Sequence, residues 1–192
     1  MSKVANQYIE IPGSTNTAST QLTCDASGYL QASGGVLGSL STESFLHVQD
    51  QKPSGTDGGT FAAGSWVTRD LNTVVTNTIE GASLASNSVN LPAGTYYIEG
   101  LCPAYSVYRY IARLTDGLST LIWGLGGYVS DDYQAGGHDI VKGLLTLTGN
   151  ITVFLEHSCG ATQSDNGFGV DTGTQVTVDY ETYTDLKIWK VG

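Results

Sequence analysis

"NITVFLEHSC", residues 150–159, alternates without a break: Ile151, Val153, Leu155 and His157 fall on one side, and Thr152, Phe154, Glu156 and Ser158 on the other. Side chains of an extended strand point to opposite faces with period two, so this run is a β-strand with one core face and one half-wet face. Seven further runs share its richness in Val, Ile, Thr and Tyr: "FLHVQDQ" (45–51), "WVTRDLN" (66–72), "TYYIEGLCPAY" (95–105), "SVYRYIARLTD" (106–116), "STLIWGLGGYV" (119–129), "DIVKGLLTLTG" (139–149) and "YTDLKIWKV" (183–191). Gly, Asn or Asp interrupts them roughly every eight to twelve residues, the rhythm of an all-β sandwich. No stretch sustains a helical period, and scattered Gly and Thr weaken any helix.

Turn residues set the order of pairing. Asp116-Gly117 and Gly149-Asn150 suit the positive φ of tight hairpins, and Pro92 with Gly94 precedes a β-rich run. Such turns favour antiparallel sheets, and the expected fold is an antiparallel all-β sandwich.

Three runs carry bulky groups on both faces: Tyr96 beside Tyr97, Val107 beside Tyr108, and Leu144 beside Leu145. A sandwich strand has one inward face, so the other must meet something else. Association with copies of the same chain is the simplest partner, with Tyr97, Tyr108, Tyr110 and Leu145 as its expected contacts. Arg69 is expected to pair with a neighbouring strand or subunit.

The chain has 192 residues, one ordinary domain and a tail, and can bury roughly 70% of its unfolded surface. Its formal charge is −10 with only 8 Lys and Arg, which argues against nucleic acid and anionic membrane as partners. Charged residues are 14% of the total, so neutral polar groups cover most of the surface, a composition common in extracellular and virion proteins. Cys24, Cys102 and Cys159 are too few and too widely spaced for a disulfide framework or a zinc pair, and they read as free thiols. "MSKVANQYIEIPG" shows no export signal, and no later run approaches the ~20 apolar residues of a membrane span.

Residues 1–44 are small and polar, with apolar islands at Tyr8, Ile9 and Ile11, at Tyr29 and Leu30, and at Val36 and Leu37. Such a segment builds no core alone and reads as an extended arm that lies on another surface. Residues 45–192 form the folded domain.

"DQKPSGTDGGTFAAGSWVTRDLNT" (50–73) gathers glycines, charges and a Trp, yet it lacks both phosphate-cradling patterns and leads into no helix. It is a loop of tight turns before a strand. His47, His138 and His157 are too dispersed for a zinc site, and Asp165, Asn166 and Asp171 fall short of a full calcium-loop series. Cys159 near His157 lacks an orienting third group, and Asp131-Asp132 reads as a solvated tip. The expectation is a protein that is not an enzyme and holds no cofactor or metal. Exposed aromatics at Tyr128, Tyr133 and Phe168 offer faces on which sugars stack.

The Ser-Gly-Thr-x-Gly-Gly loop with Trp-x-Thr-Arg-x-Leu-Asn-Thr (54–73), the Pro-Ala-Gly-x-Tyr turn (92–96) and the closing "YTDLKIWKV" resemble the C1q/TNF-like jelly-roll domains of tailed-phage virion proteins. The resemblance covers residues 45–192. It implies an antiparallel two-sheet jelly-roll sandwich that assembles as a tight homotrimer, with Trp66 in the core and Arg69 and Asp70 near subunit or sheet contacts. It also implies a structural role in the virion, in which such domains serve as capsid decoration knobs or fibre tips. No collagen-like repeat, heptad run or shaft precedes the domain, which favours a capsid decoration, or cement, protein. Its partner is then the major capsid protein, held by the arm on the outer surface of a capsid assembled in the host cytoplasm. The alternative is a lectin-like receptor-binding tip of a tail or head fibre, gripping host surface glycan.

Overall fold

The computed structural model describes residues 21–24, 30–33, 44–130, 135–173 and 176–192. The chain divides into two compact units, residues 1–42 and 43–192. In the first, β1 (Gln21–Cys24) pairs antiparallel with β2 (Leu30–Ser33), so a stretch expected to be extended contains a strand pair. Of the expected arm residues Tyr8, Ile9, Ile11, Tyr29, Val36 and Leu37 lie outside the described residues, and Leu30 opens β2.

The second unit is an antiparallel sandwich. Sheet I runs in the order β12 (Gly136–Leu147), β8 (Gly94–Tyr105), β14 (Tyr180–Lys190), β3 (Ser44–Pro53) and β5 (Thr73–Asn77). Sheet II is built on β9 (Tyr108–Thr115) and β13 (Ile151–Cys159). β10 (Thr120–Trp123) and β11 (Gly127–Val129) share the free edge of β9. β7 (Ser88–Leu91) and β4 (Val67–Thr68) share that of β13, and β6 (Ser83–Ala85) closes on β7. Among the described residues there is no α-helix.

The core lies between the sheets. Leu46, Val48, Ile98, Val141, Leu186 and Ile188 of sheet I meet Val89, Leu91, Ala112, Leu114, Val153 and Leu155 of sheet II. Each is an alternate residue of its strand, so burial of this face fixes register: a one-residue slip exposes the whole set. At Gly100 the sheets pack tightly, and an added Cβ would stand 3.2 Å from Leu155. A second cluster fills one end of the sandwich with Phe61, Val107, Tyr110, Val129, Cys159 and Phe168.

Two local expectations are corrected. Gly149-Asn150 is not a positive-φ hairpin: it carries the chain from β12 in sheet I to β13 in sheet II. The hairpin with both φ positive is Ser86-Asn87 (49° and 61°), which turns β6 into β7 with Ala85 opposite Ser88. "WVTRDLN" also holds only two strand residues, because Arg69 turns into the interior. Its Nε donates to Thr184 Oγ1 at 3.1 Å, and Nη2 donates to the Tyr183 carbonyl at 2.6 Å. Nη1 reaches the Pro103 carbonyl at 3.1 Å, while the guanidinium stacks 3.9 Å from the Phe168 ring.

Candidate self-association face

The outward face of sheet I is set by alternation on four adjacent strands. Because Trp189 lies opposite Phe45 on β3 and Tyr97 on β8, and Tyr97 lies opposite Leu144 on β12, these residues form one row across the sheet. The rings touch: Phe45–Trp189 centroids are 5.0 Å apart and Tyr97–Trp189 centroids 5.7 Å. Leu144, 69% exposed, ends the row. Four large side chains abreast on a solvent-facing sheet form an apolar strip in search of a partner.

The next rows are polar and ordered. Lys187 stands between His47 and Glu99, and Asp185 between Gln49 and Leu101. Asp185 takes bonds from His47 Nε2 (3.1 Å), Gln49 Nε2 (2.8 Å) and Lys187 Nζ (3.1 Å). Burial opposes its charge, but the bonds from Gln49, His47 and Lys187 outweigh that and hold the carboxyl below its usual range. The Tyr97 hydroxyl donates to Glu99 Oε1 at 2.9 Å, which pushes its pKa up. A recess of about 250 Å³ between Leu101, Ile140, Lys142 and Asp185 interrupts this surface. The arrangement, an apolar row bordered by fixed polar groups, is that of a protein contact.

Of the expected interface residues, the structure puts only Tyr97 on this face. Tyr108 lies on sheet II, against Tyr128. Tyr110 is buried, its ring edge-on to His157 at 5.5 Å, and Arg69 is wholly buried. Both are interior groups and not surface contacts. Leu145 packs against the core, and its neighbour Leu144 is the outward residue; at period two only one of them can be. Phe45 and Trp189 were missed in the sequence because they lie at opposite ends of the domain and meet only through strand register.

The expected sugar-stacking residues also separate. Tyr128 is exposed, Phe168 is buried under Arg69, and Tyr133 lies outside the described residues. Trp66, expected in the core, is half-buried on the outer face of sheet II, stacked on Arg113.

The groups weighed for chemistry are unsuited to it. Burial pushes the Cys159 thiol up to about 11 and the Cys102 thiol up to about 12, so neither supplies a thiolate near neutral pH. Burial, with the Arg69 charge, drives His157 down to about 2, so its ring is neutral. Asp139, which the sequence reading passed over, is buried and accepts the backbone N–H groups of Ala112, Leu125 (2.8 Å), Gly126 (2.9 Å) and Ile140 (2.7 Å). Its carboxylate ties β12 to β9 and to the turn after β10.

No family model matches the sequence, and no curated protein matches it. Solved structures do. The vertex protein P5 of phage PRD1 superposes with TM-score 0.50 at 17% identity, over 83% of this chain and 100% of that one. The globular domain of a zebrafish complement 1qA protein (TM-score 0.48, 14% identity) and murine APRIL (0.49, 14%) each align with 78% of this chain, over 98% and 99% of their own lengths. At such identity the likeness to P5 is one of fold alone, the antiparallel two-sheet jelly roll that the topology of the second unit describes.

Proposed function

We propose that the chain is a structural protein of a phage virion, a homotrimer that decorates the outside of the capsid, with residues 1–44 as its attachment arm and the major capsid protein as its partner. The observation that carries the virion role is the likeness of the jelly roll to a phage vertex protein over that protein's whole length. A surface of neutral polar residues with few charges suits the same setting.

Self-association is supported by the row Phe45–Trp189–Tyr97–Leu144, which gives each copy an apolar strip to bury. Trimerisation then multiplies the arms. Three weak arm contacts from one rigid body act at high effective concentration, so the shell is gripped tightly without any strong single contact. A chain lacking residues 1–42 is expected to remain a trimer and to stop co-sedimenting with undecorated capsids. Undiminished capsid binding by that truncated chain would remove the arm from the account.

A further inference from the structure

The outer face of sheet II carries a second aromatic cluster that the self-association row does not use. Register places Trp123 (β10), Arg113 (β9), Glu156 (β13) and Thr68 (β4) side by side across four strands. Trp66, one residue before β4, reaches the same spot: its ring lies 4.0 Å from the Arg113 guanidinium and 5.8 Å from the Trp123 ring. Arg113 is held on every side. Its Nε and Nη2 both donate to Glu156 Oε2, at 2.9 and 2.6 Å, and Nη1 donates to Thr120 Oγ1 at 3.1 Å.

Two of the chain's three tryptophans therefore stand on the outward face of sheet II, Trp123 with 57% of its surface in water. They add nothing to the core between the sheets. Three features select the partner. The rings offer broad apolar faces fixed before binding, which lowers the ordering cost of any ligand stacked on them. The Arg113–Glu156 pair closes its own charge, so the platform is neutral within a chain of net charge −10, a poor match for a polyanion. Hydroxyl and carboxylate oxygens of Thr68, Thr120 and Glu156 border the rings. Apolar C–H faces edged by neutral hydroxyl groups are the chemistry of a sugar ring, and we infer that this platform binds a neutral oligosaccharide.

The surface continues along β9. Beside the platform, Arg109, Ile111, Ser158 and Gly160 line an open recess of about 290 Å³. Beyond it Tyr128, 59% exposed, meets Tyr108 edge-on at 5.1 Å. From Arg113 to Arg109 is four strand residues, about 13 Å, so the two aromatic pairs bracket a track for several linked sugars. The capsid role neither requires this site nor is required by it.

The test is a glycan array probed with the labelled full-length chain, displaying linear neutral hexasaccharides of glucose, galactose, mannose and N-acetylglucosamine beside sulfated and sialylated oligosaccharides. A neutral oligosaccharide is expected to bind, with affinity reduced at least tenfold by Trp123→Ala and less by Trp123→Phe, at unchanged solution mass. Absence of any neutral hit, preference for the anionic sugars, or binding indifferent to Trp123→Ala would overturn the assignment. A fall in mass for Trp123→Ala would also overturn it, making the platform a contact between copies.

Discussion

His157 sits with no exposed surface between Phe61 and Tyr110, its ring centroids 4.7 and 5.5 Å from theirs, and neither ring nitrogen has a hydrogen-bond partner among the described residues. Its pKa falls from 6.5 to about 2 on folding. Between those values the unfolded chain holds a proton that the folded chain lacks, so stability is intact above pH 6.5 and declines as pH falls, by on the order of 1 kcal/mol per unit. His157→Phe keeps a ring in an apolar site and removes two unpaired nitrogens. It is expected to match or exceed the parent in Tm at pH 7 and to lose less Tm between pH 6.5 and 4.5; parallel decline of both proteins would contradict this. Asp139 is the reverse case, a buried carboxylate with four N–H donors. Asp139→Ala takes their shared acceptor from these donors and should cost about 3 kcal/mol or more, read as a lower urea midpoint, whereas a change under about 1 kcal/mol would mean the backbone re-pairs elsewhere. Neither residue's role is legible in the sequence. His157 shows its inward phase but not that its nitrogens go unpaired, and Asp139 looks like any strand-edge acid until β9 and β10 converge on it.

At the scale of the strand, period two was a sound guide wherever one face is dry. "NITVFLEHSC" and "TYYIEGLCPAY" are read from their letters alone, and both lie in strands whose alternate residues are buried. The guide failed where a side chain leaves the pattern for a long-range partner, as Arg69 does in truncating β4. Nor does it decide which member of a bulky pair faces out, and Leu145 was expected where Leu144 stands. Leu144 and Leu145 are adjacent and equally apolar, and only pairing with β8 sets Leu144 beside Tyr97. Two substitutions separate the face from the interior. Trp189→Ala removes the centre of the outward row and is expected to weaken association by about 2 kcal/mol, seen as dissociation on dilution in sedimentation, with the fold retained. Tyr110→Ala opens a cavity in the end cluster and should lower Tm with no specific effect on association. Unchanged sedimentation of the Trp189 variant would take the row out of the interface.

The whole molecule was the most legible scale, since strand rhythm, turn residues and the absence of a helical period all point to one sandwich. What sequence could not supply is how sheet register assembles surfaces from distant segments: Phe45 with Trp189 on one face, Trp66 with Trp123 on the other. Those surfaces, and not the core between the sheets, carry the proposed roles. The most direct test of the proposed role is cryo-EM of undecorated capsids incubated with the full-length chain. Density at regular positions on the outer shell, three-fold symmetric and sized for three jelly rolls, is the predicted result. Bare shells at saturating protein, with the chain adsorbing to host cells instead, would contradict capsid decoration and place the protein at the tip of a fibre.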